Sequence, residues 1–307
     1  MTSAAGPEYP MRRYGMDHDR YAWSMLSSRP KVEWPNGKKL ALWVSVGLQF
    51  FPMNPMGQPI KVAGGMTMPY PDLRHFSLRD YGNRVGIFRV LQALERYKIK
   101  PTFAMNTRLA ERYPALLARI INAIHQHGGE LMCHSWSMDS VHAGGLALDD
   151  ERRIVAAALR TLRALSGQPV RGWISPGKIE SANTPDLLAE HGIDYFCDWV
   201  NDDMPYRFNT TTKPLWAMPL ATELEDRFLL LDNFHSEQSY AQQVLDAAAM
   251  LINEAQTAGG RVLGLSIHPW VLGQPHRIKY LEQVLEQLAG HVDVWSTTPG
   301  EILRAMG

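Results

Sequence analysis

The sequence predicts an α/β protein whose strands curl into a (β/α) barrel, and three observations carry that prediction. From Lys39 almost to the carboxyl terminus, short apolar runs alternate with longer segments of helical period, the pattern of parallel strands joined by crossover helices. Seven or eight such units repeat without a low-complexity linker, which favours one closed barrel over a doubly wound open sheet. Polar and aromatic residues cluster just past the carboxyl ends of the runs, where barrel enzymes gather their sites.

Each element has its own signal. Residues 1–38 are rich in proline, glycine and charge and lack periodicity, so they read as an arm lying on the body or on a neighbouring subunit, with a single domain over 39–307. The strand candidates are 40–48, 101–106, 130–135, 171–176, 194–199, 215–220, 261–269 and 292–297. Helix candidates are 85–97, 108–127, 150–165, 237–257 and 278–288, and Gly128 and Gly167 follow two of them as left-handed helix ends prefer. The connection 51–83 is full of proline, glycine and methionine. A loop this long inside a compact domain is usually functional or disordered, and it reads as a lid or substrate-shaping loop, with a merely decorative insertion as the alternative.

Composition narrows the function classes. Lysine plus arginine and aspartate plus glutamate both number 31, so no net field attracts nucleic acid or an anionic membrane. A small-molecule substrate is the expected partner. The amino terminus has no apolar stretch after its basic residues and no later run approaches membrane-spanning length, so a cytoplasmic protein is expected. The two cysteines, Cys133 and Cys197, sit in apolar strand-like segments and read as buried free thiols rather than a disulfide framework.

The residues that could carry chemistry lie at the strand ends. His134 and His268 are the leading proton shuttles, because imidazole titrates near neutral pH and amide hydrolysis needs both water activation and protonation of the leaving nitrogen. His235 and His276 follow apolar runs and stand in reserve. Asp198, Asp202 and Asp203 crowd one turn, where mutual repulsion could raise one carboxyl into acid or base work. Arg171 could hold a substrate carbonyl or orient a carboxylate; Trp173, Trp199 and Trp270 offer flat apolar walls; backbone N–H groups near Ser175 to Gly177 could stabilise an oxyanion. No phosphate-cradling glycine loop or serine nucleophile elbow is present in the sequence.

A catalytic zinc usually takes three protein ligands. His134 is followed by Ser-Trp-Ser-Met, and the end of the first strand, Gly47-Leu48-Gln49-Phe50-Phe51, holds no carboxylate. No cofactor is therefore the expectation, with zinc or another divalent ion through Asp139 and His142 as an open alternative.

The stretches 79–86 (RDYGNRVG), 101–104 (PTFA), 171–177 (RGWISPG), 194–203 (DYFCDWVNDD) and 268–277 (HPWVLGQPHR) resemble the polysaccharide deacetylase superfamily, and within it the branch of cofactor-independent allantoinases and cyclic-imide hydrolases. The resemblance implies a distorted (β/α) barrel of the polysaccharide-deacetylase type and a homo-oligomer. It matches His268 to the family's catalytic histidine and His134 to its first metal-ligand histidine. Gln49 and Phe50 stand where classical members carry paired aspartates, and Met138 where their second histidine would be.

The expected function is hydrolysis of a non-peptide carbon–nitrogen bond by ring opening of a small cyclic amide, imide or ureide. His268 would relay protons, an aspartate of the 198–203 turn would assist, and His134, Gln49, Arg171 and neighbouring residues would hold substrate. Deacetylation of an N-acetyl sugar or polysaccharide is the alternative within enzymes, and a catalytically inactive metabolite-binding barrel is the alternative outside them.

Overall fold

The structure is a computed structural model that describes residues 18–55, 70–143 and 145–307. The first part of the arm, 1–17, and the middle of the expected lid, 56–69, lie outside the described residues.

The strands are β1 (Leu40–Leu48), β2 (Pro101–Met105), β3 (Glu130–Cys133), β4 (Gly172–Trp173), β5 (Tyr195–Phe196), β6 (Tyr206–Phe208), β7 (Leu215–Ala217), β8 (Arg261–Ile267) and β9 (Val294–Ser296). They form one curled sheet of order β6-β7-β5-β4-β3-β2-β1-β8, with β9 beside the start of β1. All ladders are parallel except β6–β7. The sheet is the distorted half-barrel that the resemblance implies, but hydrogen bonds do not close it, contrary to the repeat pattern. Antiparallel β6 occupies the edge of β7 that a closing strand would need, and no ladder joins β8 to β7 among the described residues. β6 is short and partly exposed, so it carried no alternation to read.

β1 and β8 are buried along their whole length, which is why both read as continuous apolar runs rather than alternating ones. The helices are α1 (Leu73–Tyr81), α2 (Ile87–Arg96), α3 (Thr107–Arg112), α4 (Pro114–His127), α5 (Leu148–Ser166), α6 (Thr184–Glu190), α7 (Glu237–Ala258), α8 (Ile278–Gly290) and α9 (Pro299–Met306). Gly128 and Gly167 end α4 and α5 in the left-handed conformation, at φ of 69° and 66°. Two expectations need correction. The end of the 51–83 connection is not loop: α1 begins at Leu73, capped by the Asp72 carboxylate on His75 N–H at 2.9 Å, and runs through a π turn at Gly82–Gly86 into α2. The expected helix 108–127 is two helices that part at Tyr113, because Pro114 cannot continue the hydrogen-bonding of α3.

Residues 18–38 lie along the body. Trp34 is buried and donates its indole N–H to the Arg261 carbonyl at 2.9 Å, while Arg20 is buried and pairs with Asp186 at 2.8 Å. Cys133 and Cys197 are free and buried, as expected, and burial pushes the Cys133 thiol up to about 12. No described helix is long and apolar enough to cross a membrane.

Candidate active site

Parallel register gathers the strand ends. Leu48 pairs with Met105, Met105 with Cys133, Cys133 with Trp173 and Trp173 with Phe196. The residues immediately beyond, Gln49, Asn106, His134, Ile174 and Cys197, therefore stand at one level, and Ser175 and Asp198 one step further. On the other side of β1, Val46 pairs with Ile267, which sets His268 beside Gly47. A cavity of about 510 Å³ opens there, and Gln49, His134, Ser175, Asp198 and His268 line it together with Gly47, Arg79, Lys178, Glu225 and Arg227. Its volume suits a small molecule.

The two histidines are held by different partners. His134 Nδ1–H donates to the Ile174 carbonyl at 2.9 Å, which leaves the Nε2 lone pair turned toward the Gln49 amide at 3.5 Å. Burial, with the nearby His268 charge, pushes His134 down to about 4 and outweighs the carbonyl, so this ring is neutral across the physiological range. Asn106 fixes the frame around it: it accepts from Phe50 N–H at 2.8 Å and donates to the His134 carbonyl.

His268 is the opposite case. Its Nδ1–H donates to Asp226 Oδ1 at 2.6 Å and its backbone N–H to Asp226 Oδ2 at 2.7 Å. The Arg227 N–H donates to the same carboxylate at 2.7 Å. Burial alone would lower the imidazole, but the Asp226 charge and hydrogen bond, with Glu225 beyond, outweigh it and hold His268 above the ordinary histidine value. Burial pushes the fully buried Asp226 carboxyl up, against the opposing pull of the His268 charge and of the two hydrogen bonds from His268. Gly47 is what lets the ring lie there, because a Cβ at that position would sit 2.9 Å from His268 Cδ2.

Several expected site residues are placed differently. Asp198 lines the cavity, but both its oxygens are occupied, accepting Ser175 N–H at 2.7 Å and Ser175 O–H at 2.6 Å. The Trp173 indole donates to the same hydroxyl at 2.9 Å, so Trp173 is a buried brace and not a wall. Ser175 has no N–H left for an oxyanion. Arg171 stands at the start of β4, the opposite end of the strand from the cavity, half out in solvent beside Asp194 at 3.5 Å. Past Asp198, Val200 still lines the cavity, but Trp199 packs on Tyr21 and Phe208, and Asp202 pairs with Arg29 at 2.6 Å. Burial and then Asp202 push Asp203 up, as crowding suggested, yet neither aspartate lines the cavity. Trp270 is buried beneath Arg79. The reserve pair, His235 and His276, also lie outside the lining.

Asp226, Glu225, Arg227, Lys178 and Arg79 were not anticipated as site residues. Asp226 follows no strand that ends in the site, so only the requirement of a buried histidine for an orienting carboxylate could have pointed to it. One further group imitates a nucleophile triad: Ser135 O–H meets His142 Nε2 at 2.9 Å, and His142 Nδ1 meets Glu151 at 3.3 Å. Ser135 even has φ of 57°. All three are fully buried outside the cavity, and the group ties the end of β3 to α5 and α6.

The same geometry tests the fit of a metal. His142 is committed to Ser135 and Glu151, Asp139 accepts from Ser137 at 2.5 Å outside the cavity lining, and Met138 lines the cavity without a hard donor. Among the described residues no three of histidine, cysteine, aspartate and glutamate are grouped to hold an ion. One imidazole and one amide do not fit a three-ligand zinc centre.

The polysaccharide deacetylase family model matches residues 79–196. A Schizosaccharomyces pombe protein assigned to the polysaccharide deacetylases is 22% identical over 300 residues, covering 89% of this chain and 91% of its own. The crystal structure of PuuE allantoinase superposes with a TM-score of 0.77 at 24% identity, over 91% of this chain and 94% of that one. A Pseudomonas aeruginosa PAO1 structure, also assigned to the polysaccharide deacetylases, gives 0.76 at 25% identity over 97% of both chains. The matched segment runs from the last residues of α1 to β5 and hence includes Arg79, His134 and Ser175, and the solved structures cover more than nine-tenths of this chain. Residues 79–196 are thus similar to the polysaccharide deacetylases, and the chain as a whole shares the fold of these relatives.

Proposed function

We propose that this carbon–nitrogen hydrolase opens a small cyclic amide, imide or ureide, using His134 and His268 as a divided acid–base pair. The observation that supports the reading is the divergence of two imidazoles in one cavity, His134 pushed down to about 4 and His268 raised. Environments that drive two titrating groups apart define which is base and which is acid.

Neutral His134, with Gln49, holds a water and accepts its proton as the oxygen attacks the amide carbon. A C–O bond forms. Protonated His268 then donates from Nε2 to the ring nitrogen as the C–N bond breaks, and Asp226 steadies the imidazolium. With Ser175 N–H engaged by Asp198, the oxyanion falls to the N–H of Gly177, which lines the cavity. The domain division we propose alongside it is an arm over 1–38 and one catalytic barrel over 39–307, and the contacts of Trp34 and Arg20 with the body support it.

The experiment is hydrolysis of a panel of cyclic amides, imides and ureides beside N-acetyl sugars, with added zinc and after chelation. Chelator-resistant ring opening is the expected result. Zinc-dependent deacetylation would replace this reading by that of the deacetylase relatives, and absence of any turnover by that of a binding barrel.

A further inference from the structure

Arg79 is buried in the wall of the cavity with only 8% of its surface exposed. Its guanidinium carbon lies 4.2 Å from the centre of the Phe51 ring on one face and 4.1 Å from that of Trp270 on the other. Cation–π contact with two rings offsets part of the cost of burying the charge, but occupies only the faces of the planar group. Its N–H donors radiate in the plane, and Nε has no acceptor among the described residues. The Trp270 indole nitrogen in contact with it is buried and unpartnered as well.

The other cations of the cavity are committed. Arg227 pairs with Glu225 at 3.1 Å and Asp232 at 2.6 Å. Lys178 donates to the Leu220 carbonyl at 2.8 Å and to Thr222 at 2.9 Å, with Glu225 at 4.0 Å. Asp72, the acidic group that acts on Arg79 through space, gives one oxygen to His75 N–H and the other to its ring at 2.5 Å. Arg79 thus differs from its neighbours in being a buried fork of donors with no carboxylate paired to it among the described residues. A buried donor without an acceptor is unfavourable, and planar guanidinium matches a carboxylate by two parallel hydrogen bonds.

We propose that Arg79, sandwiched between Phe51 and Trp270, is the anion-binding subsite of this cavity, and that the substrate is a small amide carrying a carboxylate. The Trp270 ring lies 6.1 Å from that of His268. The Trp270 ring thus neighbours both Arg79 and His268, so the carboxylate and the scissile bond are separated by a distance that a few-carbon molecule spans. Burial, reinforced by Arg227, pushes Arg79 down to about 9, which leaves it charged at neutral pH and poised to gain from an anionic partner. The inference deepens the ring-opening reading by naming the charge of its substrate, and it rests on that reading only for the identity of the bond cut.

The test is calorimetric binding of two probes that share one ring, 2-pyrrolidone-5-carboxylate and 2-pyrrolidone, to the full-length protein. Preference for the carboxylate by roughly 10- to 100-fold is expected, the strength of a charge-assisted pair, and Arg79→Gln should level the two probes. Should that variant fail to fold, Arg79→Lys, which keeps the charge and loses the fork, should reduce the preference several-fold. Equal affinity for the two probes, no binding of the carboxylate, or an unchanged preference in either folded variant overturns the proposal. The readout is binding without turnover, so a protein that prefers the carboxylate yet opens no ring would retain the anion subsite and lose the ring-opening reading.

Discussion

Asp226→Asn is the sharpest perturbation of the proposed acid–base pair. The substitution keeps the shape of the side chain and removes its charge from a group that accepts His268 Nδ1–H at 2.6 Å. Of the influences on His268, burial lowers its pKa while the Asp226 charge and hydrogen bond raise it. Without the latter, burial prevails and the imidazole falls toward or below the ordinary 6.5. A charge-assisted hydrogen bond is worth about 1.5–3 kcal/mol, and a pKa unit corresponds to about 1.4 kcal/mol, so a shift of one to two units downward is expected. The sign follows from the roles. Protonated His268 is the acid, so kcat/KM falls as pH rises through its pKa; neutral His134 is the base, so kcat/KM falls as pH drops through about 4. The wild-type profile should be a bell with its alkaline limb above 6.5. In Asp226→Asn that limb should move acidward while the acid limb stays, with rate at pH 7.5 reduced about 10- to 100-fold. An alkaline limb unmoved by the substitution would refute His268 as the titrating acid.

Gly47→Ala should lower kcat/KM about 100-fold, the usual effect of misplacing a reacting group by an ångström, because the new Cβ meets the His268 ring at 2.9 Å. Thermal melting should show a cost of no more than about 1–3 kcal/mol. Ser135→Ala should leave kcat within about tenfold, whereas loss of a true nucleophile costs on the order of 10⁶-fold; urea unfolding should show about 1–3 kcal/mol lost because His142 Nε2 is left without its partner. Arg171→Ala should leave both kcat/KM and stability within about 1 kcal/mol of wild type, since its pair with Asp194 is exposed and 3.5 Å long, and a large kcat/KM loss would return Arg171 to the site.

The sheet was legible where burial is complete. β1 and β8 announce themselves as long apolar runs because both of their faces are covered. β4 and β5 have only two residues each in the ladder, so the sequence marked the segments and overran their ends. α1 was obscured by the proline-rich stretch before it and by Gly82 and Gly86 after it, although Asp72 followed by an apolar residue is an ordinary helix-start signal. Chain direction would have corrected Arg171, since it precedes its strand and sites form beyond strand ends.

The site divides along the same line between register and encounter. Gln49, His134, Ser175, Asp198 and His268 were legible because a parallel sheet gathers the one or two residues after each strand at one end, and the sequence reveals where strands end. What converts those residues into chemistry comes from elsewhere in the chain. Asp226 precedes His268 by 42 residues, Ile174 follows His134 by 40, and Arg79 reaches Trp270 from α1. None of these pairings leaves a periodic trace, since each is fixed by the fold rather than by neighbours in sequence. Two histidines at equivalent strand ends thus read alike in one dimension. They become opposite reagents only when one ring meets a backbone carbonyl and the other a buried carboxylate.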